Sequence, residues 1–268
     1  MVNIQRFIIT AAVLASFCVV CSGSVVANQS EGNVTELSGS GSAGDPYIIT
    51  TITELQAIEN DLTAHYRLGA NIDASATAQW NNGSGFDPIG QEDDEFRGVF
   101  DGNRYTITQL SINRPSSVDI GLFGEIQQDA VIRNLRVLNA SVVGGADVGI
   151  VAGEVDDQSM VRRVSSSGTV TGFSSNRNDD DGGDIGGVVG QNIDNSTVAR
   201  SFSNATVNAT VGVAGGLVGG SYRNSTVVRS YAMGDVTGER AGGLVGENYA
   251  NSRVKNSYAT GSVSGRGS

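Results

Sequence analysis

Residues 215–241 read GGLVGGSYRNSTVVRSYAMGDVTGERA, and residues 242–268 read GGLVGENYANSRVKNSYATGSVSGRGS. The two segments align over 27 residues without a gap. Residues 186–214 repeat the unit with two more residues, residues 149–185 form a diverged copy with an acidic insertion, and another unit lies near residues 120–148. A period of this length, with glycine turns between short Val-rich runs, is typical of a solenoid.

Each unit is predicted to contain three short strands: one around Leu217 and Val218, one over residues 226–232 and one over residues 235–237. Glycines mark the predicted corners, where a positive φ or a close backbone approach excludes a Cβ. The repeat glycines are Gly121, Gly149, Gly186, Gly215, Gly216, Gly242 and Gly243. One unit cannot bury its apolar face alone, so its strands should pair in parallel with their counterparts about 4.8 Å away. The predicted fold class is therefore all-β, a parallel β-helix (β-solenoid) of about 27-residue coils.

The repeat register places like residues over like. One phase holds Asn195, Asn224 and Asn251, and another holds Phe202, Tyr231 and Tyr258. Asparagine ladders and stacked aromatic rings favour the stacking of identical strands. Strict alternation would put Arg229 on the same face as Val227, and a core does not accept an uncompensated arginine. We therefore expect a bend between Val227 and Tyr231, and the sequence leaves open which side Arg200 and Arg229 face.

The N-terminal part of the chain differs from the repeats. Thr51 and Glu54 form a predicted capping box that opens a short helix, where a solenoid needs a cap on its first coil. The predicted organisation is a flexible segment at 28–38, an N-terminal cap and first coils at 39–118, and the repeat solenoid at 119–268.

Residues 1–27 have the pattern of a secretory signal peptide. Arg6 is their only charge, an apolar run covers residues 7–20, and VVA at residues 25–27 suits a cleavage site. The run is too short to span a bilayer, so no transmembrane anchor is expected. Both cysteines lie in this segment, which leaves the mature chain without disulfides. Secretion, with a location at the cell surface, follows as the predicted localisation, and the predicted glycosylation sites are Asn139, Asn195, Asn204, Asn208 and Asn224.

The net charge of −11 argues against nucleic acid or an anionic membrane as a partner, because both need clustered basic residues. Lys255 is the single lysine among 17 basic residues. Arginine in place of lysine, together with an acid excess, is typical of proteins from high-salt organisms, where carboxylates keep the surface hydrated. Base-composition bias in the DNA is the alternative interpretation.

Three features together resemble a known family: the AGGLVG units with the NSYATG tail at 256–261, the leader GSGSAGDPYII at 39–49, and FRGVFDGNRYTITQLSINRP followed by GLFG. They are similar to proteins built of GLUG-motif repeats, which include secreted or surface β-solenoids of bacteria and archaea, some of them adhesin-like. The resemblance implies a scaffold or a binding surface and brings no catalytic residues with it. Some members carry a zinc peptidase, and this chain has no HExxH motif.

Few residues suggest chemistry. His65 is the single histidine and is more simply explained as structural or exposed than as catalytic. A calcium ion is the cofactor that the acidic insertion suggests, with Asp179, Asp180, Asp181 and Asp184 as candidate ligands. Their spacing fits neither the EF-hand nor the β-roll nonapeptide, and a solvated acidic loop is the preferred interpretation. No catalytic residue is assigned.

Three function classes remain open. The preferred one is a non-enzymatic surface module for adhesion, binding or structure, with glycans, other cells or envelope components as partners. The second is a polysaccharide lyase or glycoside hydrolase, for which Asp147 with Glu154, or Asp235 with Glu247, would supply the carboxylate pair. The third is a building block that polymerises end to end through its last coil.

Overall fold

The computed structural model describes residues 37–91, 94–173 and 183–265, all within one unit of the chain, residues 35–268. Its first part contains helix α1 (Ile52–Gln56), 3-10 helices at Ala57–Asn60 and Ser75–Gly83, and strands β1 (Tyr47–Ile49), β2 (His65–Leu68), β3 (Ile72–Asp73), β4 (Val99–Asp101) and β5 (Thr106–Thr108). Next come β6 (Ser111–Ile120), β7 (Phe123–Ile126), β8 (Val131–Arg133), β9 (Arg136–Gly149), β10 (Ala152–Val155), β11 (Met160–Arg162) and β12 (Ser165–Gly172). The repeats then supply β13 (Asp184–Gly186), β14 (Val189–Asn192), β15 (Thr197–Ala199), β16 (Phe202–Ala209), β17 (Val213–Gly215), β18 (Val218–Ser221), β19 (Thr226–Val228), β20 (Tyr231–Ala232), β21 (Val236–Gly238), β22 (Arg240–Gly242), β23 (Val245–Asn248), β24 (Arg253–Lys255), β25 (Tyr258–Ala259) and β26 (Val263–Gly265).

Three parallel sheets run along the solenoid. The first has the order β1-β2-β4-β8-β11-β15-β19-β24, and the second has the order β7-β10-β14-β18-β23. The third contains two rows, β9-β12-β16-β20-β25 and β9-β13-β17-β22, because the long strand β9 takes part in both. Each strand pairs with its counterpart in the next coil, which confirms the predicted parallel β-solenoid.

The coil length varies while the register of the strands is kept. Thr226 pairs with Arg253, 27 residues later, and with Thr197, 29 residues earlier. Met160 pairs with Thr197 across 37 residues, the coil that includes the acidic insertion. Residues added at a corner therefore leave the pairing of the strands unchanged.

The core fills the space between the sheets. Val161, Val198 and Val227 are fully buried at one phase of successive coils, as the repeat register predicts. In the first coils aromatic residues fill the same space, with Phe123 packed against Phe96 and Phe100 at ring-centre distances of 4.9 and 5.4 Å. Each fully buried side chain of this size contributes roughly 1.5–3 kcal/mol through the hydrophobic effect.

Close backbone approach explains the repeat glycines at the corners. A Cβ on Gly215 would lie 1.8 Å from the Val218 carbonyl oxygen, although Gly215 itself has no positive φ. The positive φ angles fall instead on the asparagine phase, at 66° for Asn195 and 67° for both Asn224 and Asn251. Asparagine tolerates this conformation, so these three asparagines serve as turn residues. Within the described residues no side-chain hydrogen bonds connect them into a ladder.

The predicted strand over residues 226–232 is interrupted. Arg229 has a φ of 52° and separates β19 from β20, which confirms the expected bend. The bend turns the arginine side chain outward, and Arg200 and Arg229 are both exposed. These arginines therefore stay out of the core, and no buried acidic residue is needed to neutralise them.

The predicted capping box begins the short helix α1. The Glu54 amide donates to Thr51 Oγ1 at 3.2 Å, and the Thr51 amide donates to Glu54 Oε2 at 3.1 Å. Gln56, the last residue of α1, exchanges two hydrogen bonds of 3.0 Å with the backbone of Asp87. Within the described ranges the helices are too short or too polar to cross a lipid bilayer.

Candidate functional site

A column of stacked rings lies along the third sheet. Phe202 pairs with Tyr231, and Tyr231 pairs with Tyr258, in the parallel register of β16, β20 and β25. The ring centres are 5.0 and 5.3 Å apart, and the ring planes differ by only 12° and 5°. Phe202 and Tyr231 are half-buried and Tyr258 is exposed. Tyr231 therefore has a ring packed on each of its faces, whereas Phe202 and Tyr258 each have one face covered by this stack.

Carboxylates line up at a second corner, where the second and third sheets meet. Asp119, Asp147 and Asp184 share one register position, and Glu125, Glu154 and Gln191 share another. We call these six residues the acidic seam. Carboxylate oxygens of Asp119, Asp147 and Glu154 lie within 4.8 Å of one another. Oxygens of Glu125, Glu154 and Asp156 do the same.

Glycines bring the two strand rows of the seam together. A Cβ on Gly153 would lie 2.3 Å from the carbonyl carbon of Asp119, and one on Gly190 would lie 2.6 Å from that of Asp147. Only a residue without a side chain permits this approach. The last glycine of each motif therefore allows the acidic residues of one strand row to lie beside those of the other row.

Asp184 holds a proton more tightly than an ordinary aspartate. It is 3% exposed, and its amide donates to Asp147 Oδ1 at 3.1 Å. Burial, followed by the negative charge of Asp147, raises the pKa of Asp184 to about 7. Gln191 Nε2 at 2.9 Å and the Tyr222 hydroxyl at 3.0 Å donate to its carboxyl group and partly oppose this rise. The pKa of the Tyr222 hydroxyl is itself raised by burial and by Asp184.

The structure brings together one of the two carboxylate pairs considered for glycan hydrolysis. Asp147 and Glu154 meet in the acidic seam but are only 1% and 5% exposed, so a sugar chain has no access to them. Asp235 accepts a hydrogen bond from the Ser262 amide at 2.9 Å, and Glu247 lies 3.4 Å from the Arg240 guanidinium. The first pair is therefore closed to substrate, and each member of the second is bound by another group of the protein.

The other predicted residues lie apart from one another. His65 is half-buried in β2, and its amide donates to the Gly41 carbonyl at 2.8 Å. Asp184 belongs to the acidic seam, whereas Asp179, Asp180 and Asp181 lie outside the described residues. Grouped carboxylates are common in acidic proteins without an ion, so the seam alone assigns no metal. The predicted glycosylation sites are exposed at Asn139, Asn195, Asn204 and Asn224 and half-buried at Asn208.

Sequence reasoning suggested the pair Asp147 and Glu154 but missed the acidic seam to which both belong, although a signal for the seam was present. The segments DIGLFGE (119–125), DVGIVAGE (147–154) and DIGGVVGQ (184–191) carry an acid before the glycine motif and an acid or amide after it. Aligning them predicts two acidic columns. The contact between those columns depends on the tight corner, which composition and spacing do not reveal.

Comparison with known proteins agrees with the repeat pattern. Residues 237–264 match the family model of the GLUG motif, which confirms the resemblance over the last repeat. The chain is 43% identical over 181 residues to halomucin of Haloquadratum walsbyi, a match that covers 65% of this chain and 2% of halomucin. It is 32% identical over 184 residues to a protein of Evansella cellulosilytica assigned as a Gly-rich membrane protein, covering 59% of this chain and 21% of that protein. The chain thus spans a small part of the length of either relative, and the first comes from a halophilic archaeon, as the charge pattern predicts.

Solved structures share the fold. A Bacteroides ovatus protein assigned as an immunoglobulin A1 protease superposes with a TM-score of 0.65 at 21% identity, over 84% of this chain and 68% of that one. An IgA1 protease superposes with a TM-score of 0.52 at 19% identity, over 80% of this chain and 19% of that one. At these identities the likeness concerns the β-helix fold and not the activity.

Proposed function

We propose that this solenoid is a non-catalytic module of a secreted or cell-surface protein and that it binds glycans or other envelope components. The observation that carries the proposal is the repetition of side chains along one face, at the spacing of one strand to the next. The stacked rings of Phe202, Tyr231 and Tyr258 are its most regular example. A face of this kind makes many equal, weak contacts with a repetitive partner, and such contacts add to a useful total affinity.

The relatives support the surface part of the proposal. One carries the name halomucin and the other is assigned as a Gly-rich membrane protein. Both are far longer than the matched segment, as expected if the solenoid is one module among others. The acid excess, with a net charge of −11, suits a surface exposed to concentrated salt.

Hydrolysis of a polysaccharide is the competing function. The proximity of the Asp147 and Glu154 carboxylates favours hydrolysis, and the burial of both side chains argues against it. A surface role without chemistry needs neither residue to be accessible. Association of copies end to end through the last coil stays a prediction, which sedimentation of the purified chain at several concentrations tests.

The purified chain should be applied to intact cells, to isolated cell envelopes and to an array of neutral and acidic glycans. Released reducing sugar should be followed in the same wells, at low and high salt. Saturable binding without sugar release is the expected result. Absence of binding to every surface refutes the proposal, and sugar release replaces it with the enzymatic function, in which case Asp147→Asn and Glu154→Gln become the first variants.

A further inference from the structure

Arginines repeat along the corner between the first and third sheets. The Arg163 amide donates to the Ala199 carbonyl, and the Arg200 amide donates to the Val228 carbonyl, so each arginine lies one coil above the last. Arg229 continues the column, and Arg104 begins it two coils before Arg163. With two neighbouring side chains the set forms what we call the arginine edge: Arg104, Arg136, Arg162, Arg163, Arg200 and Arg229.

Four of these arginines occupy a backbone conformation that disfavours them. The φ angles are 68° at Arg104, 54° at Arg163, and 52° at both Arg200 and Arg229. A left-handed conformation costs a residue with a Cβ about 1–2 kcal/mol, and least for Asn and Asp. Asn134 occupies the same corner with a φ of 53°. Asparagine therefore suits the turn, and arginine recurs there despite the backbone strain, which points to a use for its side chain.

The arginine edge concentrates positive charge on an acidic protein. The chain has 17 basic residues against 28 acidic ones, and six of the basic residues lie on this corner. Within the described ranges none of the six forms an ion pair with a carboxylate. Arginines elsewhere do pair, as Arg133 does with Asp101 at 2.9 Å and Arg223 with Asp194 at 3.1 Å. Among the described residues the edge is thus a run of arginines without carboxylate partners.

Two adjoining clefts open along the edge. The larger, of about 440 Å³, is lined by Arg104, Arg136, Arg163, Arg200 and Phe202 among others. The smaller, of about 260 Å³, lies between Arg162, Arg163, Arg200 and Arg229. The Nε of Arg162 is buried beside it and donates no hydrogen bond to any described residue. A buried donor without an acceptor is costly, so this side of the cleft holds a polar group that no described residue satisfies.

We propose that the arginine edge binds a linear anionic polysaccharide, whose carboxylate or sulfate groups lie against successive arginines. This inference rests on the proposed function and names its ligand class. Guanidinium groups bind planar or tetrahedral oxyanions through paired N–H donors, and their spacing of one coil, about 4.8 Å per strand, suits a chain of regularly placed charges.

A single-stranded nucleic acid fits the surface less well. Such strands gain most of their affinity from bases stacked on aromatic faces. Tyr231 has a ring packed on each face, so bases could stack only on the outer faces of the two end rings, Phe202 and Tyr258.

Binding should be measured by calorimetry with the full chain and four probes: polygalacturonate, chondroitin sulfate, neutral dextran and poly-dT. The test variant is R163N/R200N, because asparagine already occupies this turn at Asn134 and the fold should be kept. The control is R97Q/R223N, which removes the same charge from two arginines that have carboxylate partners. We expect R163N/R200N to bind the acidic polysaccharides at least about tenfold more weakly, and the control to change by less than about twofold.

Three results overturn the inference. Equal losses in both double variants would show that only net charge matters, and stronger binding of poly-dT than of either polysaccharide would make nucleic acid the partner. The outcome for the proposed function is separate. If the parent chain binds cells or neutral glycans while R163N/R200N binds acidic polysaccharides unchanged, the surface function stands and the arginine edge is refuted.

Discussion

Replacing Asp184 with asparagine should stabilise the protein, and the gain should depend on pH. Well below pH 3.8 the aspartate is protonated in both the folded and the unfolded chain, so its burial carries no charge penalty. As the pH rises, the unfolded chain loses its proton near 3.8 and the folded one only near 7, so the free energy of unfolding falls across this window. The difference between these two pKa values corresponds to a loss of roughly 4 kcal/mol in the free energy of unfolding above pH 7.

Asparagine removes the charge and keeps the contacts. Its amide oxygen can accept the Tyr222 hydroxyl, and the Gln191 amide can turn to accept the new N–H. We therefore expect D184N to unfold at a higher urea concentration than the parent at pH 8. Its free energy of unfolding should exceed that of the parent by up to about 4 kcal/mol at pH 8 and should lie within about 1 kcal/mol of it at pH 4. Circular dichroism during urea unfolding provides the measurement.

The control for this experiment is D194N, which removes an exposed carboxylate that pairs with Arg223. Loss of such a surface pair should change the free energy of unfolding by about 0–1 kcal/mol. A D184N variant less stable than the parent at pH 8 would refute the reasoning. An equal gain at pH 4 and pH 8 would also refute it, because the effect would then not arise from a buried charge.

Three further predictions concern the fold and are read from the same urea unfolding curves. Gly215→Ala should destabilise by more than about 3 kcal/mol, because its Cβ would lie 1.8 Å from the Val218 oxygen, whereas Gly44→Ala, with nothing within 4 Å, should not destabilise. Thr51→Ala should cost about 1 kcal/mol through loss of the cap, and Thr51→Ser should restore most of it. Tyr231→Ala should lose about 0.5–1.5 kcal/mol for each of its two ring contacts, and a loss no larger than that of Phe173→Ala, an exposed ring that contacts no other described ring, would contradict the stack.

The fold could be predicted because the repeat is strict. Two 27-residue units with glycines at fixed places leave few structures other than stacked coils, and the capping box at Thr51 and Glu54 is a local signal that needs no tertiary information. The bend near Arg229 also followed from chemistry, since an arginine could not continue into the core.

The surfaces were harder to predict than the fold. Arginine carries no local signal for a positive φ, so the turn conformation of Arg163 and Arg200 was not foreseen. The contact of Asp147 with Glu154 depends on how closely two glycine strands approach across a corner, and that distance is a tertiary property. Spacing suggested this pair, but its burial could not be read from the sequence.

The tolerance of the coils for different lengths has an evolutionary consequence. Coils of 27, 29 and 37 residues stack in one register, so insertions at a corner are accommodated outside the layers. Each strand of a coil pairs with equivalent strands of the coils before and after it. Duplication of the DNA for one coil therefore adds a layer that already fits its neighbours. A gene of this kind can lengthen by copying itself, and selection can then alter the arginines or the rings of single layers without renewing the scaffold.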